Sequence, residues 1–70
     1  METFLHNFKE GDSVIYIPRQ AQGNDAHPDC ELGQVSTVKE DRVWVRYVKN
    51  GLLQATGQLS PINLLKKTKD

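Results

Sequence analysis

The stretch Arg42-Val43-Trp44-Val45-Arg46-Tyr47-Val48, then Lys49-Asn50-Gly51, then Leu52-Leu53-Gln54-Ala55-Thr56-Gly57-Gln58-Leu59 decides the fold. Its first arm alternates valine and tyrosine with charged or larger side chains, the period-two pattern of a half-buried strand. Asn-Gly interrupts it and a second arm follows, so the segment is a hairpin. Two registers compete. A two-residue turn sets Val43, Val45 and Tyr47 beside Gln54, Thr56 and Gln58, mixing an apolar stripe with a polar one. A three-residue loop, Lys49-Asn50-Gly51, moves the pairing by one and sets the same residues beside Leu53, Ala55 and Gly57. Gly51 then takes the left-handed position of a G1 bulge. Burial favours the three-residue loop. The outer face that follows carries Arg42, Trp44, Arg46 and Val48 beside Leu52, Gln54, Thr56 and Gln58.

Outward from the hairpin, the remaining segments are short and β-rich. Gly11-Asp12 is a turn that launches Ser13-Val14-Ile15-Tyr16-Ile17 as a first strand, which Pro18 ends. Residues 18–33 are rich in Pro, Gly, Asn, Asp and Gln and read as one long loop, the kind that is usually functional or disordered. Gln34 to Lys39 is the second strand, and Glu40-Asp41 turns into the third. Ser60-Pro61-Ile62-Asn63 suits a single 3₁₀ turn, and Leu64-Leu65-Lys66 closes the chain as a fifth strand. Phe4, Leu5 and Phe8, in a lead-in over residues 1–10, plug one end. Residues 67–70 form a flexible tail. The expected fold is all-β: five strands curled into one small barrel over residues 1–70, with a long first inter-strand loop and a 3₁₀ turn before the last strand.

Size and composition narrow the function. Seventy residues make one domain with a thin core. They leave no room for a second lobe, a cofactor-binding α/β unit or a deep private cleft, so any catalysis needs a site between subunits. Cys30 is the sole cysteine, which rules out an internal disulfide and points to a reducing cytoplasm. No window reaches the apolar length of a membrane helix, and the first residues lack the pattern of a signal peptide. The expectation is a cytoplasmic protein that does not enter a membrane.

The net charge is zero but uneven along the chain. Residues 1–41 hold three Lys or Arg and eight Asp or Glu, and residues 42–70 hold six and one. Either the halves interleave and the charges mix, or the molecule is dipolar with a basic face that steers an anionic partner. Mixing is favoured, because sequence halves are rarely spatial halves in so small a barrel.

Chemistry-bearing clusters are few. His27-Pro28-Asp29-Cys30-Glu31 places four metal-ligand types within five residues. A structural zinc site takes two short ligand pairs at separated positions, and only His6 stands elsewhere, so no metal is expected. Cys30 has His27 as its only nearby base. There is no phosphate-cradling glycine motif, nucleophile elbow or paired-carboxylate pattern, so neither catalytic residues nor cofactors are expected. The outer face of the hairpin stands out instead. Trp and Arg anchor protein interfaces and also stack on bases. Arg42, Trp44 and Arg46 with Gln54, Thr56 and Gln58 form the candidate partner-binding surface, and Asn24, His27 and Asp29 form its loop rim. The competing reading packs Trp44 against the barrel or a second subunit.

Gly11-Asp12-Ser13-Val14, Gly33-Gln34-Val35, Val43-Trp44-Val45-Arg46-Tyr47 and Ser60-Pro61-Ile62-Asn63-Leu64-Leu65, in that order, resemble the SH3-like small barrels of the KOW and Tudor type. The likeness runs from residue 11 onward. Tudor-like modules imply an aromatic cage for methylated side chains; here Tyr16, Trp44 and Tyr47 are the only barrel aromatics, and two of them read as interior. KOW-type modules imply RNA, ribosomal or transcription partners, compatible with Arg42, Trp44 and Arg46. Gly-Asp-x-Val-x-Tyr-Ile-Pro, His-Pro-Asp-x-Glu-x-Gly-x-Val and Val-Arg-Tyr also resemble small uncharacterised proteins of phages and prophages, which implies an accessory role in mobile DNA. Gln58-Leu59-Ser60-Pro61 faintly resembles the Val-Gln-Ile-Tyr-Pro stretch of the type II dihydrofolate reductases, short barrels whose tetramer pore is the active site. Gly57 and Ser60 replace its valine and tyrosine.

These readings converge on a non-enzymatic binding module. A protein partner is favoured over nucleic acid, because the chain is neutral overall whereas nucleic-acid modules are clearly basic. The alternatives are RNA or DNA on the same face, with the Lys66-Lys67-Thr68-Lys69 tail adding phosphate contacts, a homodimer seam through Trp44 and Val48, and the oligomeric pore enzyme.

Overall fold

The computed structural model describes residues 6–68, and these are all-β, with no α-helix among them. Six strands form one open antiparallel sheet: β1 (Ser13–Tyr16), β2 (Glu31–Val38), β3 (Val43–Lys49), β4 (Leu52–Leu53), β5 (Gln58–Ser60) and β6 (Leu65–Lys67). The spatial order is β4-β3-β2-β1-β6, with β5 also paired to β3. A 3₁₀ turn at Ile62–Leu64 precedes β6, and another at Arg19–Ala21 follows β1.

The alternation of valines with polar residues gives the sheet an inner face. Val14, Val35, Val43, Val45, Tyr47 and Leu65 are buried together there, joined by Phe8, Tyr16, Val38 and Ile62. Tyr16 meets Tyr47 edge-on, ring centroids 6.3 Å apart, a favoured aromatic geometry. Gly33, paired with both Val14 and Tyr47, is what lets this layer close. A Cβ there would stand 2.5 Å from Val45 Cγ1 and 3.0 Å from the Arg46 carbonyl oxygen.

Because side chains alternate, Ile15 and Ile17 project from the opposite face of β1. The connection between β1 and β2 covers them: Ala21 is buried against both, with half-buried Cys30 alongside. Its backbone is a chain of turns, Ala21 N–H to the Pro18 carbonyl, Asn24 N–H to Ala21, His27 N–H to Asn24 and Cys30 N–H to His27. Asn24 Oδ1 adds a bond from the Ala26 N–H at 3.0 Å. The expected long loop over 18–33 is thus a series of turns over 17–30. β2 begins at Glu31, earlier than the expected Gln34, because Glu31 and Leu32 already pair with Tyr16 and Ile15.

The hairpin differs from expectation at its tip. Lys49 pairs with Leu52 and Val48 with Leu53, so the loop is the two residues Asn50-Gly51 and not three. Both have positive φ, 53° and 78°, as a type I′ turn demands, and this turn matches the twist of the strands it joins. Leu53 therefore shares the outer face with Val48 instead of joining Val43, Val45 and Tyr47. The burial argument fails because the fourth strand is not continuous. It breaks at residues 54–57 into β4 and β5, and two extra residues there shift the pairing, so that Val45 faces Gln58 and Val43 faces Ser60. Ala55 is exposed, and Gly57 leaves the inner face altogether. This break turns the expected five strands into six.

The other ends move by a residue or two. The 3₁₀ turn lies at Ile62–Leu64 rather than 60–63, and the closing strand at Leu65–Lys67 rather than 64–66. Phe8 packs against the core as expected, while Phe4 and Leu5 lie outside the described residues. His6 fastens this lead-in: its Nδ1 accepts from the Phe8 N–H at 3.1 Å, which leaves Nε2 to donate to the Lys39 carbonyl at 2.6 Å.

The charges mix. Lys49 pairs with Glu31, Lys66 with Asp25 at 3.3 Å and Lys67 with Asp12 at 3.4 Å, each joining the acidic first part of the chain to the basic second part.

Candidate functional site

The candidate face is the outer side of the sheet around β3. Antiparallel partners share a face, so the Ile15–Leu32 and Val48–Leu53 pairs define a row. Leu32 lies opposite Val48, one step beyond the Gly33–Tyr47 pair. The loop over residues 18–30 covers Ile15 but stops there. Leu32, Val48 and Leu53 remain 56%, 38% and 41% exposed. They line an open depression of about 460 Å³ with Ser13, Gln34 and Thr68 on its polar side.

Arg46 and Trp44 occupy the next two positions of β3 on this face, opposite Gln34 and Thr37 of β2. Both are half-buried, for one reason: segment 54–57 lies over them. Arg46 Nε–H donates to the Gln54 carbonyl at 2.8 Å. At Gly57 the backbone runs against Trp44 and Ser36, where a Cβ would be 3.1–3.2 Å from their side chains. Trp44 is also paired with Leu59 of β5, itself 59% exposed.

The expected surface is thereby divided. Arg46 stands beside the Leu32–Val48–Leu53 row. Arg42 lies beyond the start of β3, exposed and paired with its neighbour Asp41 at 3.3 Å, at the edge of a separate depression with Leu59, Pro61 and Ile62. Gln54 is half-buried, its N–H given to the Tyr47 carbonyl at 2.8 Å. Thr56 is exposed at the break, and Gln58 is exposed opposite Val45. The rim residues are engaged within their own loop. Asn24 closes a turn on Ala26, the Asp29 N–H donates to His27 Nδ1 at 3.0 Å, and Asp29 Oδ2 accepts from Gln20 at 3.4 Å.

Leu32 and Leu53 are the members that sequence reading missed. The sequence pattern sets Leu32 in the long loop and Leu53 in the core. Two signals point to them: Leu32 continues the alternation Leu32-x-Gln34 backwards from β2, and Asn-Gly most often closes a two-residue turn.

Tyr47 is the one inner-face group of this region with a perturbed ionisation. Burial pushes its phenol above the usual 10.0, and its hydrogen bond with Ser60 offsets this only in part. At neutral pH it is a fixed hydrogen-bond donor. Comparison with family models, with curated proteins and with solved structures returned no match.

Proposed function

We propose that the chain is a small SH3-like binding module that docks a protein partner on the outer face of β2, β3 and β4. The observation that carries this reading is the row Leu32, Val48 and Leu53, three large apolar side chains side by side and exposed on regular strands. Scattered apolar residues are ordinary on a surface, but a contiguous row beside an arginine is characteristic of recognition sites. Trp44 stands further along β3 on this same face, half-buried under segment 54–57, and Arg46 supplies the face's charge.

The SH3-like reading draws support from the connectivity: a meander, a 3₁₀ turn, then a last strand returning beside the first. A protein is favoured over nucleic acid because Arg42, Lys49, Lys66 and Lys67 are each matched by a carboxylate, which lowers the positive field a phosphate backbone needs. No helix among the described residues is long and apolar enough to cross a membrane. We extend the proposal to the cytoplasm on the single cysteine, and to an accessory role in mobile DNA on the sequence resemblance alone.

The test is affinity capture with the wild-type chain and with Leu53→Gln, whose side chain supports no other packing layer. The variant keeps the wild-type circular dichroism and loses the specifically captured protein. Equal capture by both contradicts the proposal.

A further inference from the structure

The outer face holds a charge that the fold leaves uncompensated. Among the described residues Arg42, Lys49, Lys66 and Lys67 each sit against a carboxylate, while Lys9, Arg19 and Lys39, which form no ion pair there, are exposed to water. Arg46 forms no ion pair among the described residues; its contact is one Nε–H bond to the Gln54 carbonyl. That bond holds the half-buried side chain in place and leaves its terminal nitrogens with donors to spare. A charge drawn partly out of water is stabilised when a counter-charge completes it. The depression next to it is lined by apolar and neutral polar groups, with no carboxylate among them. The nearest features of the face are therefore an unmatched guanidinium and, two residues along the same strand, Val48 with Leu32 and Leu53 beside it.

We propose that the partner is a protein segment bearing a carboxylate next to large apolar side chains. The carboxylate pairs with the Arg46 guanidinium, and the apolar side chains seat on Leu32, Val48 and Leu53. This rests on the protein-docking reading above and adds the partner's chemistry. Same-face positions on a strand repeat at about 7 Å, so an extended segment with a leucine-like residue two positions from an acidic one presents both at the spacing of Val48 and Arg46. A second copy of this chain fits poorly, because a two-fold contact centred on this face brings two Arg46 residues together. Nucleic acid fits poorly as well, since one guanidinium would face a run of phosphates.

The experiment is a titration of ¹⁵N-labelled protein with three synthetic peptides, Ser-Leu-Ser-Glu-Ser-Leu-Ser and its versions with Gln or Lys in place of Glu. The Glu peptide shifts the amides of Leu32, Gln34, Arg46, Val48 and Leu53. It binds about tenfold more tightly than the Gln peptide, as a charge-assisted bidentate pair would give, and the Lys peptide binds more weakly still. Arg46→Gln removes the difference between Glu and Gln peptides while the remaining resonances keep their positions. Equal affinity of the three peptides for the same amides overturns the acidic partner but leaves the docking face standing. Shifts on another surface only, or none at millimolar peptide, overturn the face itself. A single-stranded oligodeoxynucleotide that moves these amides more strongly than the Glu peptide overturns the protein assignment.

Discussion

The phenolic oxygen of Tyr47 lies 2.6 Å from Oγ of Ser60, and Ser60 in turn reaches the Gln58 carbonyl at 3.1 Å. A carbonyl only accepts, so the Ser60 hydroxyl donates to Gln58 and Tyr47 donates to Ser60. The Tyr47–Ser60 bond is buried and ties β3 to β5. Ser60→Ala strands the buried Tyr47 hydroxyl and costs about 1–3 kcal/mol. Tyr47→Phe leaves Ser60 its Gln58 acceptor and costs about 1 kcal/mol. The double variant costs less than the two together. Urea denaturation of the three variants checks the order.

The same phenol sets an alkaline limit. Burial raises its folded-state pKa above the ordinary 10.0, so the folded protein holds this proton more tightly than the unfolded chain. The associated stability is complete below pH 10 and is lost as pH rises through the folded value. Tyr47→Phe is therefore less sensitive to alkali than the wild type, read as the change in urea midpoint between pH 9 and pH 11.

Asp12 sets the acidic counterpart. Its carboxylate accepts from the Lys9 N–H at 2.9 Å and faces the Lys67 ammonium at 3.4 Å, and these interactions, the backbone bond foremost, hold its pKa below the usual 3.8. The stability it contributes is present above that usual value and is lost as pH falls through the lowered one. Asp12→Asn should show a shallower loss of thermal stability between pH 5 and pH 2 than the wild type.

Two glycines mark where the chain closes on itself. At Gly33 an added methyl meets Val45 at 2.5 Å and a backbone carbonyl at 3.0 Å, whereas at Gly57 the contacts with Ser36 and Trp44 are 3.1–3.2 Å. Overpacking costs about 1–3 kcal/mol. Gly33→Ala falls at the upper end or fails to fold, and Gly57→Ala falls at the lower end with a shifted Trp44 emission. Thermal unfolding followed by Trp44 fluorescence separates the two.

Much of this architecture is legible in the residues. Val43, Val45 and Tyr47 announce the inner face, Gly11-Asp12 and Glu40-Asp41 mark turns, and Pro61 precedes a 3₁₀ turn. The register was not, because the preference of Asn50-Gly51 for a two-residue turn competed with the apparent gain from burying Leu53. The decisive fact, the break at residues 54–57, has no strong local signal: Gln54-Ala55-Thr56-Gly57 reads as strand as readily as bulge. The alternation along β3 points Trp44, Arg46 and Val48 away from Val43, Val45 and Tyr47, yet the cover that half-buries two of them comes from that break. Leu32 was hidden by the polar run before it, since pairing with β1, a non-local interaction, makes it strand.

The most direct measurement is amide hydrogen exchange of the chain alone and in complex with its captured partner. Docking on the outer face predicts slowed exchange confined to residues 32–34, 46–48 and 53–54, with the inner core unchanged. Protection centred instead on the depression around Arg42, Pro61 and Ile62, or on the turns of 18–30, would contradict it.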